Sequence, residues 1–91
     1  MMYEVRQSSA FKKQLKLLRK RGYDMDKLAF AIEELRHGRQ LEPKFRDHAL
    51  RGNFRGYREC HIAPDWLLVY RIEKDTLVLL LHRTGTHSDL F

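Results

Sequence analysis

The chain has 91 residues, 43% of them hydrophobic and two of them proline, which predicts one globular domain over 1–91 and excludes a disordered chain. The single cysteine, Cys60, excludes an internal disulfide and is typical of a reducing compartment. The sequence has neither an apolar run near the roughly 20 residues that span a bilayer nor an apolar signal segment, so we expect a cytoplasmic protein with no membrane partner. A net charge of +6, from 18 Lys and Arg against 12 Asp and Glu, favours polyanionic partners such as nucleic acid.

The first half of the chain predicts a strand followed by two helices. Residues 2–7 alternate between apolar and polar side chains, as a half-buried strand does. Ser8 or Ser9 is a suitable cap for the first helix, and Gly22 stands where a glycine ends one. Asp24 caps the second helix. Each helix carries one apolar stripe, so the pair is expected to pack as a hairpin.

The second half predicts a long loop and three strands. Residues 39–53 show no periodicity and are read as a loop, which at this length usually carries function. Strands are predicted at about 54–62, 66–73 and 76–83, with short turns between them, as in an antiparallel meander. The order β-α-α-β-β-β therefore predicts an α+β fold, with the two helices covering one face of a small antiparallel sheet.

The central predicted strand is apolar on both faces. Its side chains alternate between two sets: Trp66, Leu68, Tyr70 and Ile72 on one face, and Leu67, Val69 and Arg71 on the other. Because the helix pair covers only one face, we expect a second surface or cleft on the other.

Three histidines in the second half suit acid–base chemistry on a phosphate. Histidine takes and gives a proton near neutral pH, and His48, His61 and His87 are accompanied by Asp65 and Arg83. Arginine neutralises a phosphoryl group through its planar fork. In a meander, the end of the first strand and the start of the second lie beside the end of the third, so these groups are expected to converge.

Other uses of these residues are less favoured. The three histidines and Asp65 resemble a metal ligand set, but the sequence has no HxH, HExxH or CxxC pair and the surroundings are cationic, so no metal is expected. Cys60 is a weak candidate nucleophile, since a regular strand places it on the face opposite His61. His37 and His82 are taken as structural, with His82 on the strand face opposite Arg83.

Basic residues form two groups. One crowds the first helix and is either a solvated face or a binding surface. The other lies in and after the predicted loop and is assigned to RNA binding: Lys44, Arg46, Arg51 and Arg55.

Three segments carry a resemblance to a known family. PKFRDHAL-RG, YRECHIAPDWLLVY and RTGTHSDLF resemble the YafQ branch of the RelE-like bacterial toxins, closely over 42–91 and in element order before that. The resemblance implies a ribosome-dependent endoribonuclease that cuts mRNA and inhibits translation, with no cofactor and with a RelB/DinJ-type antitoxin as partner. Ala49 departs from the family, which often has proline after the loop histidine, and this loosens the loop.

The resemblance also implies roles for individual residues. It assigns His48, His61, His87 and Asp65 to catalysis, Arg83 to the phosphate, and the terminal Phe91 to a base contact. RNA carries its own 2′-OH nucleophile, so the enzyme needs a base, an acid and positive charge. His61 or His48 serves as the base or orients the nucleophile, Asp65 fixes a tautomer or is itself the base, and His87 is the acid. Two alternatives stay open: a ParE-like toxin that binds without cutting RNA, and a basic nucleic-acid-binding module.

Overall fold

The computed structural model describes residues 2–91, which form an α+β fold around one five-stranded sheet of order β1-β5-β4-β3-β2. The predicted fold class is confirmed. The strands are β1 (Glu4–Gln7), β2 (His48–Ala49), β3 (Arg58–Ala63), β4 (Trp66–Glu73) and β5 (Val78–Gly85), and the helices are α1 (Ser9–Lys20), α2 (Met25–Arg36) and α3 (His87–Leu90). Short 3₁₀ turns lie at Pro43–Phe45 and Gly52–Phe54. None of the helices within 2–91 has the length and apolar character to cross a membrane.

Both long helices begin at the predicted caps. The Ser8 hydroxyl accepts a hydrogen bond from the backbone N–H of Phe11 at 3.0 Å, and the Asp24 carboxylate accepts one from the N–H of Asp26 at 3.0 Å. These bonds satisfy donors that a helix start leaves free. The chain leaves α1 through Gly22, whose φ of +81° is costly for residues with a side chain.

The sheet is mixed, which corrects the prediction of a purely antiparallel one. β3, β4 and β5 form the predicted antiparallel meander, but β1 pairs with β5 in parallel, Glu4 opposite Val78. Parallel neighbours need a long crossover, and the segment from α1 to β4 supplies it. Alternation over 2–7 predicted this strand, which the structure has at Glu4–Gln7, but alternation carries no information about strand direction.

The segment predicted as a loop holds regular structure, and the next predicted strand begins later than expected. His48 and Ala49 pair with Glu59 and Arg58 as the two-residue strand β2. Phe54 ends the second 3₁₀ turn, and residues 55–57 lead into β3, with Gly56 at a φ of +94°. Such short elements have no periodicity to detect, because pairing with β3 creates them.

The two faces of the sheet bury different amounts of side chain. The face covered by α1 and α2, here called the helix face, holds the main core, which includes Phe11, Leu28, Leu68 and Tyr70. On the opposite face, Leu67 and Val69 are buried beneath Leu90 of α3, with Leu50 and Tyr57 at the margin. The predicted alternation along β4 and the second surface are confirmed.

The C-terminal tail is anchored to the rest of the fold. Thr86 and Asp89 form a reciprocal capping box at the start of α3, and Leu90 is buried. Asp89 also lies 3.3 Å from the guanidinium of Arg21. A side chain at Gly85 would place its Cβ 3.0 Å from the Cβ of Asp89, so glycine permits this close approach.

Candidate active site

Four strands bring candidate residues into one line across the sheet. His48 of β2 lies opposite Glu59 of β3, Glu59 opposite Val69 of β4, and Val69 opposite Arg83 of β5. Cross-strand partners project to the same face, and Val69 is buried on the face away from α1 and α2. We call this the histidine face. His61 pairs with Leu67 one step along and projects to the same face.

Glu59 stands between two of the histidines and was not assigned a role from sequence. Its Oε1 lies 3.8 Å from Nε2 of His48 and 3.6 Å from Nε2 of His61. The carboxylate side chain is only 7% exposed, against 51% for His48 and 12% for His61. A buried carboxylate facing two imidazoles supplies a counter-charge to whichever ring holds a proton. Glu59 lies two residues before His61, so period-two alternation along a strand puts both side chains on one face, and this was the available signal.

Nδ1 of each of these two rings lies close to a backbone carbonyl oxygen. Nδ1 of His48 lies 2.7 Å from the carbonyl oxygen of Arg46, and Nδ1 of His61 lies 3.4 Å from that of Pro64. A carbonyl only accepts hydrogen bonds, so these contacts are hydrogen bonds when Nδ1 carries the proton. This arrangement leaves Nε2 of both rings directed toward Glu59 as the nitrogen available for proton exchange.

Asp47 fixes the segment that carries His48. The Tyr70 hydroxyl donates to Asp47 at 2.6 Å, and the Arg58 guanidinium lies 3.4 Å from both carboxylate oxygens. Burial, followed by the hydrogen bond to Asp47, raises the pKa of Tyr70 well above its ordinary value, so the phenol stays a donor. Arg46 has a φ of +50°. The hydrogen bonds to Asp47 offset the strain of the turn at Arg46 and hold His48 at the edge of the sheet.

His87 and Asp65 form a second pair across the mouth of the β3–β4 turn. Nδ1 of His87 lies 3.0 Å from Oδ1 of Asp65, and the backbone N–H of His87 donates to the same oxygen at 3.3 Å. The hydrogen bond from the His87 side chain, followed by the one from its backbone, lowers the pKa of Asp65. An ionised Asp65 holds the proton on Nδ1 and leaves Nε2 of His87 facing outward.

The three imidazoles follow one another along the histidine face. Ring centroids are 6.5 Å apart from His48 to His61 and 5.9 Å apart from His61 to His87. In the part of the chain that the structure describes, no three His, Cys, Asp or Glu side chains are placed to hold a metal ion. Cys60 is buried on the helix face, where burial raises the pKa of its thiol.

Arg83 and His82 project to the same face, which corrects the prediction that they lie on opposite faces. The register between β4 and β5 shifts after Val69, so that Arg83 pairs with Val69 and Leu81 with Tyr70. His82 is the extra residue of this β-bulge, and its ring stacks on Tyr57 at 4.5 Å. A bulge breaks strict alternation. Burial, with help from the Arg83 charge, lowers the pKa of His82.

The residues assigned to RNA contacts flank His48 along the chain, and the one assigned to a base contact is at the C-terminus. Lys44 and Arg46 belong to the turn before β2, and Arg51 and Arg55 flank the turn after it, so the four cations lie on either side of His48 in the chain. Phe91 packs edge-on against Phe54 at 5.2 Å and stays 58% exposed. The basic residues of α1 lie on the helix side of the sheet, because Phe11 and Leu18 of this helix are buried in the core there.

The fold matches solved bacterial toxins along its whole length. A metal-bound toxin from Helicobacter pylori superposes with a TM-score of 0.93 at 43% identity, covering 100% of both chains. A chain of the E. coli DinJ-YafQ toxin–antitoxin complex superposes with a TM-score of 0.91 at 36% identity, covering 100% of this chain and 99% of that one. The architecture is therefore that of a small bacterial toxin.

Sequence comparison identifies the family. The model of the YafQ family, described as bacterial toxins of type II toxin–antitoxin systems, matches residues 3–91. The mRNA interferase toxin YafQ of E. coli K12 is 37% identical over 89 residues, covering 97% of this chain and 95% of that protein. This chain belongs to the YafQ family of type II toxins, and the resemblance inferred from its motifs is confirmed.

Proposed function

We propose that this toxin is a ribosome-dependent endoribonuclease that cuts mRNA by metal-independent acid–base catalysis. The observation that carries the proposal is the placement of three imidazoles, two carboxylates and Arg83 on the one sheet face that α1 and α2 leave open. The E. coli relative is an mRNA interferase toxin, which supports RNA as the substrate.

The reaction needs no nucleophile from the protein. The 2′-oxygen of the substrate attacks the neighbouring phosphorus while its proton passes to a base, for which His61 and His48 are the candidates beside Glu59. The bond to the 5′-oxygen breaks, and Nε2 of His87 donates the proton that this leaving group takes up. The products are a 2′,3′-cyclic phosphate and a 5′-hydroxyl.

Arg83 supplies the positive charge on the phosphoryl oxygens. It lies in line with Glu59 and His48 across the sheet, and its planar guanidinium is suited to donate paired hydrogen bonds to a phosphoryl group. Lys44, Arg46, Arg51 and Arg55 then hold the flanking backbone, and Phe91 stacks on a base.

The partners follow from the same family. The E. coli relative has been solved in a complex with DinJ, so a DinJ-type antitoxin is the proposed protein partner. The surface of this chain carries a net charge of +6, and such a charge suits both an acidic antitoxin and ribosomal RNA.

Mapping mRNA 5′ ends after incubation with translating ribosomes tests the proposal. New 5′-hydroxyl ends are expected with the parent protein and not with His87→Ala, and the same mRNA without ribosomes is the control for ribosome dependence. Excess EDTA should leave cutting unchanged. If EDTA abolishes cutting and added zinc or copper restores it, the metal-free mechanism is wrong, an outcome of interest because the H. pylori relative was solved with metal bound.

A further inference from the structure

A groove of about 750 Å³ runs along the outer edge of the sheet beside the histidines. β2 pairs with Arg58 and Glu59 and ends there, so the edge of β3 beyond them faces the groove. α2 forms one wall, the turn Pro43–Phe45 forms the other, and residues 61–64 form the floor. The volume lies within the range of small-molecule sites, roughly 300–1,000 Å³.

One wall presents an exposed aromatic ring on a rigid support. Phe30 of α2 is 53% exposed although it lines the groove. Phe45 of the facing turn also lines the groove; it is 7% exposed and belongs to the main core, and the two rings are 6.3 Å apart and nearly parallel, at 18°. A ring held in this way provides a flat surface on which a nucleobase can stack.

The rim of the groove is cationic. Lys27, Lys44 and Arg46 line it against one carboxylate, Asp26. The Lys44 ammonium lies 5.5 Å from the centre of the Phe45 ring and 4.0 Å from Glu42, so it is close to the aromatic wall and only loosely paired. An aromatic surface flanked by Lys and Arg is the pattern of single-stranded nucleic-acid sites.

The groove is continuous with the proposed site of cleavage. His61 lines the groove and also contacts Glu59 in the line of catalytic candidates. We propose that the groove binds the RNA nucleotide next to the scissile phosphate, with its base on Phe30 and its phosphate against Lys27, Lys44 and Arg46. This inference rests on the proposed function, and RNA is favoured over an apolar antitoxin segment because the groove opens directly onto His61.

Binding can be measured apart from cleavage with an all-2′-O-methyl hexanucleotide, which has no free 2′-OH to attack the phosphorus. Titrating this RNA into the ¹⁵N-labelled full chain should shift the amides of Lys27, Phe30 and Ala63. Phe30→Ala should weaken binding by about 5- to 140-fold, the range for losing one stacked base. Phe30→Trp should keep parent affinity, because it keeps the aromatic surface. Leu17→Ala on α1 is the matched control, since Leu17 is 46% exposed.

The outcomes separate this inference from the proposed function. In the ribosome assay, Phe30→Ala should raise KM and keep kcat. Equal RNA affinity for Phe30→Ala and Leu17→Ala, or shifts confined to residues outside the groove, would overturn the inference even if the protein cuts mRNA. Loss of antitoxin affinity with unchanged RNA affinity would overturn it in favour of a protein occupant. RNA binding as described, without any ribosomal cutting, would instead overturn the proposed function and leave the groove assignment standing.

Discussion

The helix face and the histidine face of the sheet use the same strands for different purposes. On the helix face, Leu68, Leu79 and Cys60 are fully buried in a continuous core. On the histidine face, the apolar cluster of Leu67 and Val69 beneath α3 is smaller, and polar groups lie beside it, including the buried carboxylate of Glu59. Burying a charge costs free energy that apolar packing does not. The core on the helix face therefore provides the stability that offsets the cost of polar groups on the histidine face.

The largest difference between the effect on cleavage and the effect on stability is expected for His87→Ala on the histidine face. His87 is 55% exposed, so unfolding free energy should change within about 0.5 kcal/mol, as for surface changes generally. Cleavage should nevertheless fall by about 10²–10⁴-fold, the usual loss of a general acid. Primer extension on ribosome-bound mRNA and urea denaturation measure the two effects, with His37→Ala as a control. Parent-level toxicity of His87→Ala in cells lacking antitoxin would show that α3 does not carry the chemistry.

A substitution on the helix face is expected to lower stability and leave kcat unchanged. Leu79→Ala removes a fully buried side chain and should lower unfolding free energy by about 2–5 kcal/mol. Because Leu79 does not face the histidines, kcat of the remaining folded protein should stay close to the parent value. Denaturation midpoints, and cleavage rates corrected for the folded fraction, check this. A drop in kcat as large as that of His87→Ala would mean that the two faces are not separable.

A substitution at Tyr70 is expected to affect both stability and catalysis, because its hydroxyl donates to Asp47, the neighbour of His48. Tyr70→Phe should cost about 1.5–3 kcal/mol of stability, since the lost hydrogen bond goes to a charged group. It should also reduce kcat, because the segment carrying His48 loses an anchor. Tyr23→Phe is the control, as its ring packs on Trp66 at 5.1 Å. If kcat is unchanged while stability falls, Asp47 supports the fold and does not position His48.

The smallest expected effect is the change in stability when pH titrates Asp65, the partner of His87. The pKa of Asp65 is lowered below its ordinary value of 3.8 in the folded protein. Its contribution to stability is therefore fully present above pH 3.8 and is lost as pH falls through the lowered folded pKa. Followed from about pH 5 downward by NMR, the backbone amide of His87, which donates to Asp65, should shift with a midpoint below pH 3.8. Asp65→Asn should remove that transition; an unchanged transition in this variant would assign it to another carboxylate, such as Asp89.

Local signals in the sequence were enough for the helices, the meander and the family. Ser8 and Asp24 cap α1 and α2 because side-chain capping depends on neighbours a few residues away. Alternation along 66–73 assigned each side chain of β4 to its face, since the period of a strand is a local property. The chemical types of His48, His61 and His87 indicated acid–base chemistry, and the motifs around them identified the YafQ family.

Only the tertiary structure decided how these parts meet. The parallel pairing of β1, the strand β2 and the bulge at His82 arise from contacts between distant segments, which leave no periodic pattern in the chain. The position of Glu59 between His48 and His61 depends on β2 docking onto β3, and the clamp on Asp47 depends on Tyr70, 23 residues away. The sequence specifies which chemical groups are present, whereas the distances between these groups depend on the packing of the whole fold.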